Sequence, residues 1–305
     1  VLKSSPNSRT HKLETYNILY CYSKMRSKNV WKLTYLSPGE RIRLGHIVKG
    51  DGRTLIVAMD HGSFAGPMKG IEDPAETIEK IKKGGADAII LTPGIPEKVA
   101  DVVSGSLGLI LRINGSATII SRPYLEDVEF FPIASVKDAV SLGADAVITM
   151  FYIGSRREAD SLYQLSMIAR ECDEYGVPLI AEVFPVEPGG KNPRDPKVLS
   201  IGIRVAIEAG ADMIKTHYTG DRESFRSLIE TVNAPIVILG GPKRESIKEV
   251  LKDVRDAIDA GAVGVAFGRN IWQAKDPEKM TRALSKIIHE NASVEKALEI
   301  IGEAP

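Results

Sequence analysis

Cysteine is nearly absent: the 305 residues contain only Cys21, near the N-terminus, and Cys172, inside a helical pattern. Two such distant thiols build neither a disulfide framework nor a zinc cluster, and they fit a reducing cytoplasm. Net charge is absent too, because 40 Lys and Arg balance 40 Asp and Glu. Without an excess of either sign there is no general attraction to nucleic acid or to an anionic membrane surface, although local basic loops can still hold small anions. The longest apolar runs, such as Ala88 to Leu91 and Pro235 to Leu239, are far too short to cross a bilayer. The five histidines show no metal-ligand spacing, so no metal is expected. No strand-like run leads into Gly-x-Gly-x-x-Gly, the mark of a dinucleotide site, and no cofactor is expected.

The length suits one α/β barrel with a terminal extension. Residues 1–40 read as an N-terminal extension, and 41–305 as the barrel. The first residues are polar and mixed, with no apolar core for a secretory signal. The chain opens on Val1 while Met25 lies just before the regular pattern, which places the expected natural start near Met25.

From residue 50 onward one unit recurs: a helical pattern, a small-residue turn, then a short apolar run. Four copies share near-identical words, GGADAIIL at Gly84, LGADAVIT at Leu142, AGADMIKT at Ala209 and AGAVGVAF at Ala260. Between them lie LIVAMDHG from Leu55, LGLILRING from Leu107, PLIAEVFP from Pro178 and APIVILGG from Ala234. Continuous apolar runs are the mark of parallel strands buried on both faces, and segments such as Asp73 to Lys83 and Pro196 to Ala209 have the 3.6-residue period of helices. The pattern predicts a (β/α)8 TIM barrel, with Ser116 to Pro132 as an excursion between the third and fourth strands.

In such barrels the chemistry sits at the C-terminal ends of the strands. Lys215, inside the otherwise apolar sixth run, is the sharpest signal, since loss of hydration favours the neutral amine that attacks a ketone. Its alternative is a lysine at the solvated rim or paired with Asp60. Asp60 ends the first run, either as a loop cap or as a carboxylate beside the lysine. His61 and His217 are weaker candidates, because a single histidine at a strand end is more often structural. Gly240, Gly241 and Lys243 follow the seventh run, and Gly268 and Arg269 the eighth. Glycines there let backbone N–H groups approach an anion, so the two turns together point to a phosphate site.

The words VAMDHG at Val57, ADMIKTHYTGD at Ala211, GGPK at Gly240 and GVAFGRNIWQ at Gly264 resemble the archaeal-type class I fructose-bisphosphate aldolase family, from about residue 40 to the C-terminus. The same superfamily includes 2-amino-3,7-dideoxy-D-threo-hept-6-ulosonate synthase and the thiolase that processes phosphorylated autoinducer-2. The resemblance implies that Lys215 forms a Schiff base with Asp60 beside it. It also implies a metal-independent aldolase acting on a phosphorylated ketose, with fructose 1,6-bisphosphate foremost. The alternatives are a transferase using the same lysine, as in the synthase or the thiolase, and an inactive barrel that binds sugar phosphates. Barrels of this type often assemble, so a homo-oligomer is expected.

Two departures from the family stand out. Its acid/base tyrosine at the end of the fifth strand is replaced here by Phe184, which cannot move a proton. Side chains two apart on a strand share a face, so Glu182 is expected to point the same way as Phe184, one layer deeper, where pairing with Lys215 or carrying the proton would explain a buried carboxyl. Its alternative is an offset that turns it toward the helices. Tyr152 and His217 are the next candidates for the proton carrier. The second departure is Pro93, where relatives often carry a cation; Arg112 is the expected replacement in substrate binding, together with His61 and Phe184.

Overall fold

In a computed structural model that describes residues 36–121, 130–186 and 192–303, the eight apolar runs become eight parallel strands of one closed barrel. They begin with β1 (Thr54–Ala58), β2 (Ala88–Leu91) and β3 (Gly108–Arg112). A two-stranded antiparallel ribbon follows, β4 (Asn114–Ser116) with β5 (Phe130–Pro132), at the place of the expected excursion. The barrel resumes with β6 (Ala146–Ile153), β7 (Leu179–Pro185), β8 (Met213–Thr216), β9 (Ile236–Leu239) and β10 (Gly264–Phe267), and β10 pairs with β1 to close it. The expected TIM-barrel architecture is the one observed. The tail through residue 35, with Cys21 and Met25, lies outside the described residues. No helix among the described residues is long and apolar enough to cross a membrane.

Alternation along each strand sorts side chains into two sets. Leu55, Val57, Ile89, Leu91, Val147, Leu179, Ile214 and Val265 belong to the core between strands and helices. Ile56, Ala58, Ala88, Ile90, Ile110, Ile148, Ile180, Met213, Val237 and Ala266 fill the barrel interior. Continuing the inward parity two residues toward the C-terminal ends gives Asp60, Arg112, Met150, Glu182 and Lys215. The interior is therefore aliphatic below and ionised above.

The repeated Gly-Ala-Asp word has a structural cause. Each aspartate stands at the foot of a barrel strand and accepts from an amide at the start of the barrel strand before it: Asp87 accepts from Leu55 N at 2.6 Å, Asp145 from Leu109 N at 2.9 Å and Asp212 from Leu179 N at 2.9 Å. Without that carboxylate, a buried N–H at the barrel floor would lack a partner, at a cost of about 1–3 kcal/mol. In the fourth copy Val263 replaces the aspartate and its backbone carbonyl accepts from Thr54 N at 2.9 Å. The glycine before each Ala (Gly85, Gly143, Gly210, Gly261) has φ between +77° and +114°, a turn that side chains resist.

A helix over Pro38–Ile47 closes the floor and spans the expected boundary at residue 40. Ser37 and Glu40 form a capping box at its start, and Ile47 at its end is fully buried in the interior cluster, which contributes about 2 kcal/mol. His46 Nδ1 lies 2.6 Å from Asp145 and Arg43 donates to the Ala144 carbonyl at 3.0 Å, so the plug is fastened to the foot of β6.

Close strand approach makes a prediction. A Cβ on Gly264 would stand 1.8 Å from the Thr54 carbonyl oxygen, which is backbone and cannot swing aside, whereas one on Gly45 in the floor helix would meet nothing within 4 Å. Gly264→Ala should cost about 3 kcal/mol or more, and Gly45→Ala should be neutral or stabilise by up to about 1 kcal/mol. Equal denaturation midpoints for the two variants would contradict this packing.

Candidate active site

The upper barrel interior holds a chain of buried charges in alternating sign. Arg112 extends from β3 across the interior; its Nε donates to Asp60 Oδ2 at the end of β1 and its Nη2 to Glu182 Oε2 on β7. The other oxygen of Glu182 lies 2.9 Å from Lys215 Nζ on β8. Strand register explains the last contact, since Glu182 and Lys215 are paired neighbours across β7 and β8, and Met150 pairs with Glu182 on the other side. All four charged residues are at most 7% exposed. Two carboxylates and two cations cancel, so the cluster brings no net charge into the barrel.

Burial alone would raise the Asp60 carboxyl, but Arg112, with His61 and Lys215 adding, holds it well below the usual carboxylate range. Burial likewise opposes ionisation of Glu182, yet Lys215 and Arg112 outweigh it and lower that group too, against the repulsion of Asp60. Burial works against the Arg112 charge, and the two carboxylates overcome it and raise the guanidinium above its ordinary value. Both acids are thus carboxylates in the resting site.

A second tier lies one step further along the strands. Tyr152 on β6 is in register with Phe184 on β7, their rings 6.3 Å apart, and Phe184 meets the His217 ring at 5.2 Å. His217 is held at about pKa 4, first by burial and then by repulsion from Arg194 and Lys215. Its Nε2 is buried without a hydrogen-bond partner among the described residues. The imidazole is therefore neutral at ordinary pH. His61 Nδ1 lies 3.3 Å from Asp60 Oδ1 without the alignment of a hydrogen bond, and its ring packs on Phe64 and Trp272.

The two tiers and the two glycine turns line one cavity of about 310 Å³. Lys215, Asp60, Glu182, Tyr152, His217, His61, Arg112 and Phe184 are all in its wall, as are Gly240, Gly241, Gly268 and Arg269. Lys243 is not in this wall, because its ammonium donates to the Gln273 carbonyl at 2.6 Å. Arg112 differs from expectation in another way: its Nε and Nη2 are bound to Asp60 and Glu182, so its charge is already balanced by two carboxylates. Of the three Lys and Arg side chains in this wall, Arg112 and Lys215 are paired with carboxylates and Arg269 has no carboxylate partner among the described residues. Its Nε is buried and unpaired, and burial lowers its pKa, so an anion seated there would be welcome. A larger hollow of about 640 Å³ lies at the opposite end, beside the floor helix, around His46, Lys49 and Asp145. It contains none of the buried ion pairs.

Sequence reading missed two buried asparagines that hold this geometry. Asn270 donates to the Gly240 carbonyl at 2.9 Å and accepts from Arg244 N at 2.9 Å, tying the two glycine turns together. Asn114 accepts from Met150 N at 3.1 Å and lies 3.5 Å from Arg112 Nη1. Each directly follows a residue already singled out or stands two beyond it, but an asparagine beside a turn carries no signal of burial on its own.

A family model described as DeoC/LacD family aldolase matches residues 54–274. The chain is 40% identical over 271 residues to an uncharacterized aldolase of Saccharolobus solfataricus, covering 86% of this chain and 99% of that one. It is 38% identical to a 2-amino-3,7-dideoxy-D-threo-hept-6-ulosonate synthase of Halobacterium salinarum, covering 87% and 97%. Among solved structures, a Schiff-base-forming fructose-1,6-bisphosphate aldolase superposes with a TM-score of 0.75 at 33% identity, over 82% of this chain and all of that one.

The environment of His217 sets a pH dependence. Its folded pKa lies below the unfolded value of about 6.5, so the unfolded chain takes up the proton first on acidification. The stability contributed by the neutral ring is present above about pH 6.5 and lost as pH falls toward 4. In NMR titration the His217 ring should stay neutral down to about pH 4; a midpoint above 6 would refute the buried placement.

Proposed function

The chain belongs to the DeoC/LacD aldolase family and is an enzyme of the class I aldolase type, and from that premise we propose that Lys215 forms a Schiff base with a phosphorylated ketose and that Glu182 carries the protons. The substrate we assign is fructose 1,6-bisphosphate, cleaved to dihydroxyacetone phosphate and glyceraldehyde 3-phosphate. The observation that carries the reading is the 2.9 Å contact between Lys215 Nζ and Glu182 at the floor of the cavity.

The pair supplies its own proton balance. Transfer from the Lys215 ammonium to Glu182 leaves a neutral amine and a carboxylic acid with no change in net charge. The amine adds to the ketone carbon while the carbonyl oxygen takes the proton from Glu182. Glu182 then accepts a proton from nitrogen and returns it to the hydroxyl, which leaves as water and gives the iminium. In the cleavage step the Glu182 carboxylate removes the proton from the hydroxyl two carbons from the iminium carbon. The intervening carbon–carbon bond breaks, its electrons neutralise the iminium as an enamine, and an aldehyde departs. Protonation of the enamine carbon by Glu182 and hydrolysis release the second product. A carboxylate in contact with the nitrogen supports this role, which Phe184 cannot fill.

Gly240, Gly241, Gly268 and Arg269 are assigned to one substrate phosphate. Support comes from their shared cavity wall and from the unpaired, buried Arg269 Nε. Tyr152 and His217 are assigned to substrate hydroxyls above the reacting carbon, and Asp60 to charge balance beside the lysine.

A second reading, transfer of the enamine fragment to another acceptor, is favoured by the 38% identity to the heptulosonate synthase. Product analysis separates the two, since cleavage releases a free ketone and transfer does not.

Incubation with fructose 1,6-bisphosphate or dihydroxyacetone phosphate and sodium borohydride, followed by peptide mass spectrometry, should yield an adduct on Lys215. Failure of both compounds to label it would sink the Schiff-base assignment for these substrates. Glu182→Gln should lower turnover by about 100-fold or more while leaving the lysine trappable. Full activity in that variant would remove Glu182 from the mechanism.

A further inference from the structure

Arg112 is buried, lines the cavity and has no role in the steps above. Its guanidinium is also engaged by carboxylates. Nε is bound to Asp60 and Nη2 to Glu182, while Nη1 lies 3.5 Å from Asn114 Oδ1, which also accepts from the Met150 amide. A substrate phosphate at Arg112 would sit beside two carboxylates that already balance its charge and would repel the newcomer.

We propose that Arg112 is the positioning residue of this site: by joining Asp60 to Glu182 it fixes the Glu182 carboxylate against Lys215 and balances its charge, without contact to substrate. The proposal rests on the assignment of Lys215 and Glu182 given above. Its force comes from how the two oxygens of Glu182 are divided, Oε1 toward Lys215 and Oε2 toward Arg112. When the lysine becomes a carbinolamine and then an iminium, its nitrogen changes hybridisation and direction, and the first of these anchors shifts. The second stays. A carboxylate that must act on nitrogen, hydroxyl and enamine carbon in turn needs an anchor that the chemistry does not move.

Charge balance points the same way. The titratable groups around Glu182 are Lys215 on β8 and His217 just beyond it, Arg112 from β3 and Asp60 beyond β1, with Tyr152 from β6 in the same cavity wall. Of these His217 is neutral. Without Arg112, Asp60 and Glu182 would share Lys215 as their cation in a buried space, and one carboxylate would take up a proton.

Arg112→Met and Arg112→Lys test this through cleavage of fructose 1,6-bisphosphate, with pH profiles of kcat and kcat/KM. For Arg112→Met, kcat should fall on the order of a hundredfold, with KM changed by less than about threefold and the acid limb moved up by about one pH unit or more. Arg112→Lys keeps a cation but not the fork, so it should retain the wild-type acid limb with an intermediate kcat; it carries the test if the methionine variant does not fold. A large rise in KM with kcat and the pH profile unchanged would overturn the proposal and make Arg112 a substrate ligand.

Failure of the underlying assignment shows separately, as a wild-type enzyme that borohydride does not trap. In that event the decision passes to the ligand-free protein, through carbon-13 NMR titration of side-chain carboxyl groups. A carboxyl group that titrates at higher pH in Arg112→Met than in the wild type supports the bridging role, and superimposable titrations reject it.

Discussion

The upper interior of this barrel depends on one constraint: four ionised side chains must share a water-poor space without leaving any charge unmatched. Asp60, Arg112, Glu182 and Lys215 meet it as a linear chain of alternating sign from β1 through β3 and β7 to β8. Each link offsets part of the desolvation cost of its neighbours, and removal of any one leaves a buried charge uncompensated, typically at 3–5 kcal/mol or roughly that. The chain therefore couples four strands that are distant in sequence, and it does so at the level where the strands end and the cavity begins.

The remainder of the molecule can be understood as support for that layer. Below it, isoleucines, alanines and Val237 fill the barrel and Ile47 seals the bottom, so that no water column reaches the ion pairs from beneath. Above it, Tyr152, Phe184 and His217 form a largely apolar wall on one side of the cavity, and the turns after β9 and β10 form the other. Asn270 locks those two turns together, which keeps their backbone in a fixed relation to the lysine. Phe184 gives the upper tier a ring that has no proton to transfer. Glu182 places a carboxylate in the tier below, 2.9 Å from the Lys215 nitrogen.

Much of this was legible in the sequence, and for identifiable reasons. The Gly-Ala-Asp repeats announced strand starts because each aspartate satisfies a strand amide and each glycine makes a left-handed turn. Two-residue periodicity was enough to carry Glu182 to the inner face with Phe184, and the lysine was conspicuous because an apolar strand has little reason to contain one. The behaviour of Arg112 was not legible. A cation after a strand looks the same in sequence whether it faces a substrate phosphate or two carboxylates from other strands. Lys243 was equally ambiguous, since its bond to the Gln273 carbonyl depends on a turn thirty or so positions away.

Local chemistry, then, was determined by the sequence itself: where strands begin and end, which side chains share a face, and which residue types are available at the strand ends. These follow from backbone periodicity and turn sterics, which act between near neighbours. Tertiary structure decided who pairs with whom. Closure of the barrel sets the register that puts Glu182 opposite Lys215, and brings Arg112 within reach of both Asp60 and Glu182. Those contacts link residues 52 and 70 positions apart, and a charge finds its partner across such a gap only once the low-dielectric interior makes an unpaired charge too costly to keep.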